Sequence, residues 1–137
     1  MYRNLTPKHI HAVEPSDFPL QLSEPRAEDG ADIESLVRSC RALDDNSTYA
    51  YLLLCLHFSR TCVVAKKRGK IAGFISAYVK PECDDTLFVW QVAVSDEFRR
   101  QGVAGEMLLH LLQRKHLRQI RFLEATVAPT QDDRTRR

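Results

Sequence analysis

The sequence predicts an α/β (α+β) domain, a mixed central β-sheet flanked by helices on both faces. Three observations predict it. Apolar runs rich in Val, Ile, Phe and Trp follow one another at Thr61 to Lys66, Ile71 to Lys80 and Thr86 to Val94, separated by turn residues. Upstream, Ile33, Leu36, Val37 and Cys40 recur at helical spacing, and Thr48 to Phe58 forms a second apolar segment. Downstream, strand, helix and strand alternate between Thr86 and Val127, and a unit of that length calls for a right-handed parallel crossover. The element order is β-α-α-β-β-β-α-β.

Taken in order, Met1 to Asp17 shows neither period, contains Pro7 and Pro15, and reads as a flexible N-terminal arm (1–17). Phe18 to Arg26 alternates Phe18, Leu20 and Leu22 with polar residues until Pro25 ends the ladder, which fits an edge strand. Glu28 and Asp29 suit the start of the first helix. Asp44, Asp45, Asn46 and Ser47 form a polar turn able to cap the second helix. That helix, Thr48 to Phe58, is apolar almost all round and is expected to be buried on several sides. Lys67-Arg68-Gly69 carries the Gly that a tight hairpin needs. Pro81 to Asp85 reads as an acidic loop before the central strand. Gly102 to Leu117 places Val103, Met107, Leu108, Leu111 and Leu112 on one face, an amphipathic helix of about 4 turns. Ile120 to Val127 is the last strand.

Composition narrows the classes of function. A chain of 137 residues, 44% hydrophobic and 28% charged, is a single globular domain. A formal net charge of +2 gives no overall case for nucleic acid. Positive charge clusters locally instead, at Lys66 to Lys70, at Arg99 and Arg100, and over Arg134 to Arg137. No stretch reaches the ~20 apolar residues of a membrane span and the polar start lacks a signal-peptide core, so the cytoplasm is expected. Cys40, Cys55, Cys62 and Cys83 contain no CxxC pair and no His at ligand spacing, so no metal is expected and the thiols read as reduced and mostly buried.

The chemistry concentrates between Leu87 and Leu112. An apolar strand crosses a short polar segment, reaches Arg99-Arg100-Gln101-Gly102-Val103-Ala104 and enters a helix. Helix-start N–H groups lack intrahelical partners and carry partial positive charge, so such a turn can hold phosphate. Gly102 and Ala104 remove bulk where a pyrophosphate would approach, and Arg99 and Arg100 add charge. The plainer reading is a basic helix start that merely needs a flexible turn.

Arg-x-x-Gly-x-Ala after a strand resembles the acyl-CoA pyrophosphate loop of the GNAT N-acetyltransferases. Three further segments, LDDNSTYAYLLL (Leu43 to Leu54), DTLFVWQVAV (Asp85 to Val94) and LEATVAPT (Leu123 to Thr130), resemble the branch of that family whose acceptor is L-2,4-diaminobutyrate. The resemblance runs from about Leu20 to Thr130. It implies the GNAT fold, acetyl-CoA as co-substrate, and acetylation of the 4-amino group of diaminobutyrate in ectoine biosynthesis. It also implies a catalytic domain over 18–130 and a polar tail over 131–137. Family members would continue with an Asn-rich turn, another helix and a final strand pair, so the C-terminal part reads as truncated.

By the same resemblance, Val92, Ala93 and Val94 pair with the pantetheine arm, and Arg99, Arg100, Gln101, Gly102, Val103 and Ala104 hold the pyrophosphate. Asp44 and Asp85 complement the two ammonium groups of the acceptor, and Tyr49 and Trp90 supply an aromatic wall, with Tyr49 also a candidate in catalysis. Glu124 is the candidate proton relay through water. As bare residues, the two Asp are cap or loop acids and the aromatics are core. Glu124 is equally a structural acid paired with Arg121 or Arg99. His57 and His110 read as structural, and no His joins a Ser or Cys in a triad. The alternatives are a GNAT enzyme for another small amine or a protein amine, or a CoA-binding chain without activity. A homodimer through an exposed sheet edge is a further expectation.

Overall fold

In a computed structural model, described for residues 19–126, one five-stranded sheet runs in the order β1-β2-β3-β4-β5. The strands are β1 (Gln21–Ser23), β2 (Val63–Lys67), β3 (Lys70–Lys80), β4 (Cys83–Val94) and β5 (Phe122–Ala125). The first four are antiparallel neighbours and β5 lies parallel to β4, as the crossover requires. Helices α1 (Gly30–Ser39) and α2 (Thr48–His57) cover one face and α3 (Val103–Leu112) covers the other. The arm at 1–17 and the tail at 131–137 fall outside the described residues.

Each face has its own core. Val63, Ala65, Ile75, Ala77, Leu87 and Val89 pack against Val103, Met107 and Leu111 of α3. On the opposite face Phe74 and Ala93 pack against Ile33, Val37, Tyr51 and Cys55. The alternation along β3 divides its side chains between these two cores. Gly73 belongs to this packing: a Cβ there would meet Met107 Cε at 2.8 Å and Val103 Cγ1 at 3.0 Å, so a bare backbone lets α3 lie close. Arg68 (φ 54°) and Gly69 (φ 75°) form the two-residue loop between β2 and β3, left-handed at both positions as a type I′ turn requires.

Several boundaries differ from those the sequence predicts. Strand β1 is three residues long, because Pro25 offers no N–H and the chain turns into a 3-10 turn at Ala27–Asp29. Asp29 in that turn is buried and paired with Lys66 at 2.7 Å. Helix α2 is not buried on several sides: only Tyr51 and Cys55 are buried, while Tyr49, Leu56 and the following Phe58 stay exposed. Its apolar residues surround the helix, but α1 and the sheet cover one side. The acidic loop is shorter than expected, since β4 already begins at Cys83. Helix α3 ends at Leu112. Arg114 turns back to donate to the carbonyls of Ser59, Arg60 and Cys62, and a 3-10 turn at Lys115–Leu117 buries Leu117. Strand β5 keeps four residues of the expected eight, and Val127 lies outside the described residues.

Three of the four cysteines, Cys40, Cys55 and Cys62, are buried, and all four are free thiols. No described helix is long and apolar enough to cross a membrane.

Candidate active site

Strand β4 is paired on both sides only over its first half. Thr86 to Val89 run beside Phe122 to Ala125, and past Val89 no described strand continues on that side. The other side remains paired with β3, where Gln91, Val92, Ala93 and Val94 face Ser76, Ile75, Phe74 and Gly73. The change falls at a β-bulge. Ala77 faces Val89 and Ser76 faces Gln91, so Trp90 is an extra residue. In an even strand residues two apart share a face. Here Val89 packs into the α3 core while Gln91 reaches Tyr51 on the opposite face.

The half-free strand leads directly into the basic loop. After a 3-10 turn at Asp96–Phe98, Arg99 is extended, Arg100 (φ 62°) is left-handed, and Gly102 (φ 76°) precedes the first turn of α3. No side chain caps that turn, so its N–H groups face outward with the helix dipole behind them. A Cβ on Gly102 would meet nothing within 4 Å, which makes its role conformational rather than one of clearance. Arg99 is steered by its neighbours: Nε lies 3.0 Å from Asp96 Oδ1 and donates to the Val94 carbonyl, and Nη2 reaches Cys40 Sγ at 4.0 Å. Behind the loop, Lys67 Nζ donates to Gln101 Oε1 at 3.1 Å and lies 5.8 Å from the Phe98 ring centre.

Three cavities follow the free edge, and Val92 borders each of them. One of about 650 Å³ lies between Ser39 to Leu43 and the loop, with Arg99, Arg100, Gly102, Val103 and Ala104 in its wall. A second, about 320 Å³ and almost wholly apolar, opens between β4, β5 and α3 beside Gly105 and Leu108. A third, about 630 Å³, is walled by Ala42, Leu43 and Asp44 on one side and by Val89 to Val92 on the other. The first two fit a phosphorylated carrier with a narrow arm, and the third fits a small polar acceptor.

Of the residues singled out in the sequence, Val92, Val94, Arg99, Arg100, Gly102, Val103, Ala104, Asp44 and Trp90 border this trough. Ala93 points the other way, into the α1–α2 core. Gln101 is anchored to Lys67 rather than lining a cavity. Tyr49 sits on the first turn of α2, two-thirds exposed at 67% and outside the trough. Asp85 lies in β4 and not in the expected loop: its carboxylate accepts from the Thr86 hydroxyl, and its carbonyl accepts from Arg121 N at 2.7 Å. Glu124 borders the apolar cavity, with its carboxylate 3.0 Å from Lys80 Nζ. Its partner is therefore neither Arg121 nor Arg99, and the pair raises the Lys80 pKa. His110 lies near the end of α3 with its pKa lowered by burial and by Arg114.

Sequence reasoning noted Lys67 only as part of the basic cluster at Lys66 to Lys70, and missed Gln91 and the wall formed by Ser39 to Leu43. Lys67 was readable from alternation, since Val63, Ala65 and Lys67 share a buried face. Gln91 was readable as the one amide inside an apolar run. The Ser39 to Leu43 wall follows only from how α1 ends against the sheet.

A strand that opens along one edge and ends in an uncapped helix start defines an acyl-carrier-binding α/β fold. The chain belongs to the Acetyltransferase (GNAT) family, whose model matches residues 30–137. Among curated relatives it is 48% identical over 127 residues to the L-2,4-diaminobutyric acid acetyltransferase of Bordetella parapertussis, covering 92% of this chain and 68% of that protein. It is 47% identical over 104 residues to the protein of the same name from Vibrio parahaemolyticus, covering 76% of this chain and 58% of that one. The chain thus spans roughly three-fifths to two-thirds of these relatives' length. A solved structure of diaminobutyrate acetyltransferase from Paenibacillus lautus, in complex with L-2,4-diaminobutyric acid and coenzyme A, superposes with a TM-score of 0.81 at 43% identity, covering 87% of this chain and 72% of that one.

Proposed function

We propose that this chain transfers an acetyl group from acetyl-CoA to the 4-amino group of L-2,4-diaminobutyrate, giving N4-acetyl-L-2,4-diaminobutyrate, a step toward the osmolyte ectoine in the cytoplasm. One observation carries the reading: the free edge of β4 and the uncapped start of α3 share a trough with an acid-and-aromatic wall, with Val92 common to its cavities. The similarity to enzymes of that name, one solved with both diaminobutyrate and coenzyme A, supports the choice of acceptor.

Acetyl-CoA supplies an activated thioester. The residues present fit its phosphates: the first-turn N–H groups of α3 are uncapped, Gly102 holds the loop in its left-handed turn, and Arg99 and Arg100 contribute charge. No described strand lies beside this stretch of β4 on the side away from β3, so the main chain of Val92 offers hydrogen-bonding groups to an extended arm, while the Val94 carbonyl already accepts from Arg99. A main-chain N–H there also suits the carbonyl oxygen on which negative charge grows.

The acceptor amine has an ordinary pKa of about 10 and must lose a proton before it attacks. Asp44 draws in the ammonium group, and Trp90 gives it an aromatic face. Glu124 borders the cavity it shares with Val92, and a water there would carry the proton to it. Tyr49 and Asp85, outside the trough, are assigned no contact in this reading.

The test is thiol release with acetyl-CoA and L-2,4-diaminobutyrate, locating the acetylated nitrogen by NMR and using lysine and spermidine as comparison acceptors. Turnover confined to the 4-amino group of diaminobutyrate supports the reading. Preference for lysine or spermidine sinks the acceptor assignment, and acetyl-CoA binding without turnover sinks activity in this chain.

A further inference from the structure

The trough's acceptor end has two walls from distant parts of the chain, the α1–α2 connection and the bulged stretch of β4. One buried amide joins them. Gln91 is 4% exposed. Its Nε2 donates to the main-chain carbonyl of Asp44 at 2.9 Å, and the Tyr51 hydroxyl donates to its Oε1 at 3.5 Å. Tyr51 is itself completely buried.

An amide costs free energy to bury unless its polar atoms are hydrogen-bonded, and an apolar side chain would fill this position in the core without that cost. What the amide adds is a bond to the acceptor wall. It meets Asp44 through the main chain, which leaves the carboxylate for another partner. The bulge makes this possible, because if Trp90 took an ordinary paired place in the strand, position 91 would share the face of Val89. The connection is otherwise held near Cys40, where Leu43 N donates to the Cys40 carbonyl, and at the surface by the Arg38–Asp45 ion pair at 3.1 Å.

We propose that Gln91 is a positioning residue: through the Asp44 carbonyl it sets the acceptor wall against the bulged strand and so directs the Asp44 carboxylate toward the acceptor's ammonium group. The inference rests on the acceptor reading above. Gln91 also lines the acceptor cavity, and the role assigned to it is exerted through the Asp44 main chain.

The test compares steady-state kinetics of the full chain and three variants with acetyl-CoA and L-2,4-diaminobutyrate. Gln91→Met removes both amide bonds at similar length. Gln91→Glu keeps an acceptor for Tyr51 but loses the donor to Asp44, and Tyr51→Phe removes only the other bond. The acceptor KM is expected to rise about five- to tenfold in both Gln91 variants, the effect of one lost hydrogen bond. Acetyl-CoA affinity should stay within about twofold, and Tyr51→Phe should keep the acceptor KM within about twofold of wild type. In an Asp44→Ala background, Gln91→Met should raise the acceptor KM little further, because the group it directs is gone.

Either Gln91 variant suffices if the other does not fold. An unchanged acceptor KM in the Gln91 variants, an equal rise in Tyr51→Phe, or a full additional rise in the Asp44→Ala background would each overturn the proposal. Wild-type turnover of diaminobutyrate is read first: its absence defeats the acceptor reading, whereas its presence with unchanged variants defeats only the role of Gln91.

Discussion

Lys67 and Gln101 lie 34 positions apart in sequence and 3.1 Å apart in space, ammonium to amide oxygen, on the inner side of the anion-binding turn. Lys67 is 6% exposed and takes part in none of the described ion pairs. A buried cation with only a neutral acceptor, close to the positive end of α3, is favoured by an anion arriving on the other side of the turn.

Lys67→Met should therefore weaken acetyl-CoA binding by about five- to tenfold, the effect of roughly 1 kcal/mol, with little change in acceptor KM. Calorimetric titration with coenzyme A reads the first quantity and steady-state kinetics the second. An unchanged affinity would mean that Arg100 and Gly102 hold the turn unaided.

Gly73→Ala should destabilise the fold by about 1–3 kcal/mol, because the new Cβ meets Met107 Cε at 2.8 Å and Val103 Cγ1 at 3.0 Å. The Met107 chain can bend away, while the β-branched Val103 is stiff. Thermal unfolding checks the loss. Acetyl-CoA affinity should fall as well, since Val103 opens the helix whose start forms the loop.

Arg114→Ala should cost about 2 kcal/mol in urea unfolding, because the carbonyls of Ser59, Arg60 and Cys62 lose a charged donor, the last at 2.7 Å. Arg114→Lys should recover only part of this, since an ammonium cannot reproduce the planar fork.

Thiol titration should find one fast cysteine. Burial pushes the Cys55 thiol up to about 11 and the Cys62 thiol up to about 12, so neither supplies much thiolate at pH 8. Cys83 is exposed and should react first with a disulfide reagent, the others only on addition of urea. A second fast thiol would place the buried set in a more open environment.

Stability should also depend on His110. Its pKa is lowered below the ordinary 6.5, first by burial and then by Arg114. The native state then binds fewer protons than the unfolded chain, so this contribution is fully present above pH 6.5 and is lost as pH falls through that value toward the folded pKa. Unfolding followed from pH 7 to pH 5 should show a shallower decline in His110→Gln than in wild type.

Much of this was legible in the sequence because period and turn chemistry act locally. The tight hairpin read over Lys67 to Gly69, the parallel crossover into β5 and the run from Arg99 to Ala104 needed no distant partner to be recognised. What was illegible depended on neighbours. The apolar character of α2 says nothing of how many sides are covered, and Leu56 stays 61% exposed. Asp85 reads as a loop acid until the register puts it inside β4, where Arg121 N meets its carbonyl. Helix α3 has the composition to run on to Leu117, and it stops because Arg114 finds carbonyls 52 to 55 positions away.

The single extra residue at Trp90 makes this site depend on chain length as well as on side-chain identity. Deleting Trp90 itself would leave Val89 opposite Ala77 and Gln91 opposite Ser76, so each keeps its face, whereas deleting one residue between Gln91 and Val94 would move whatever follows it in β4 to the other side. In the second case most residues assigned to the donor and acceptor walls would still be present, yet they would no longer face the trough. A one-codon deletion between Gln91 and Val94 should thus be more damaging than deletion of Trp90.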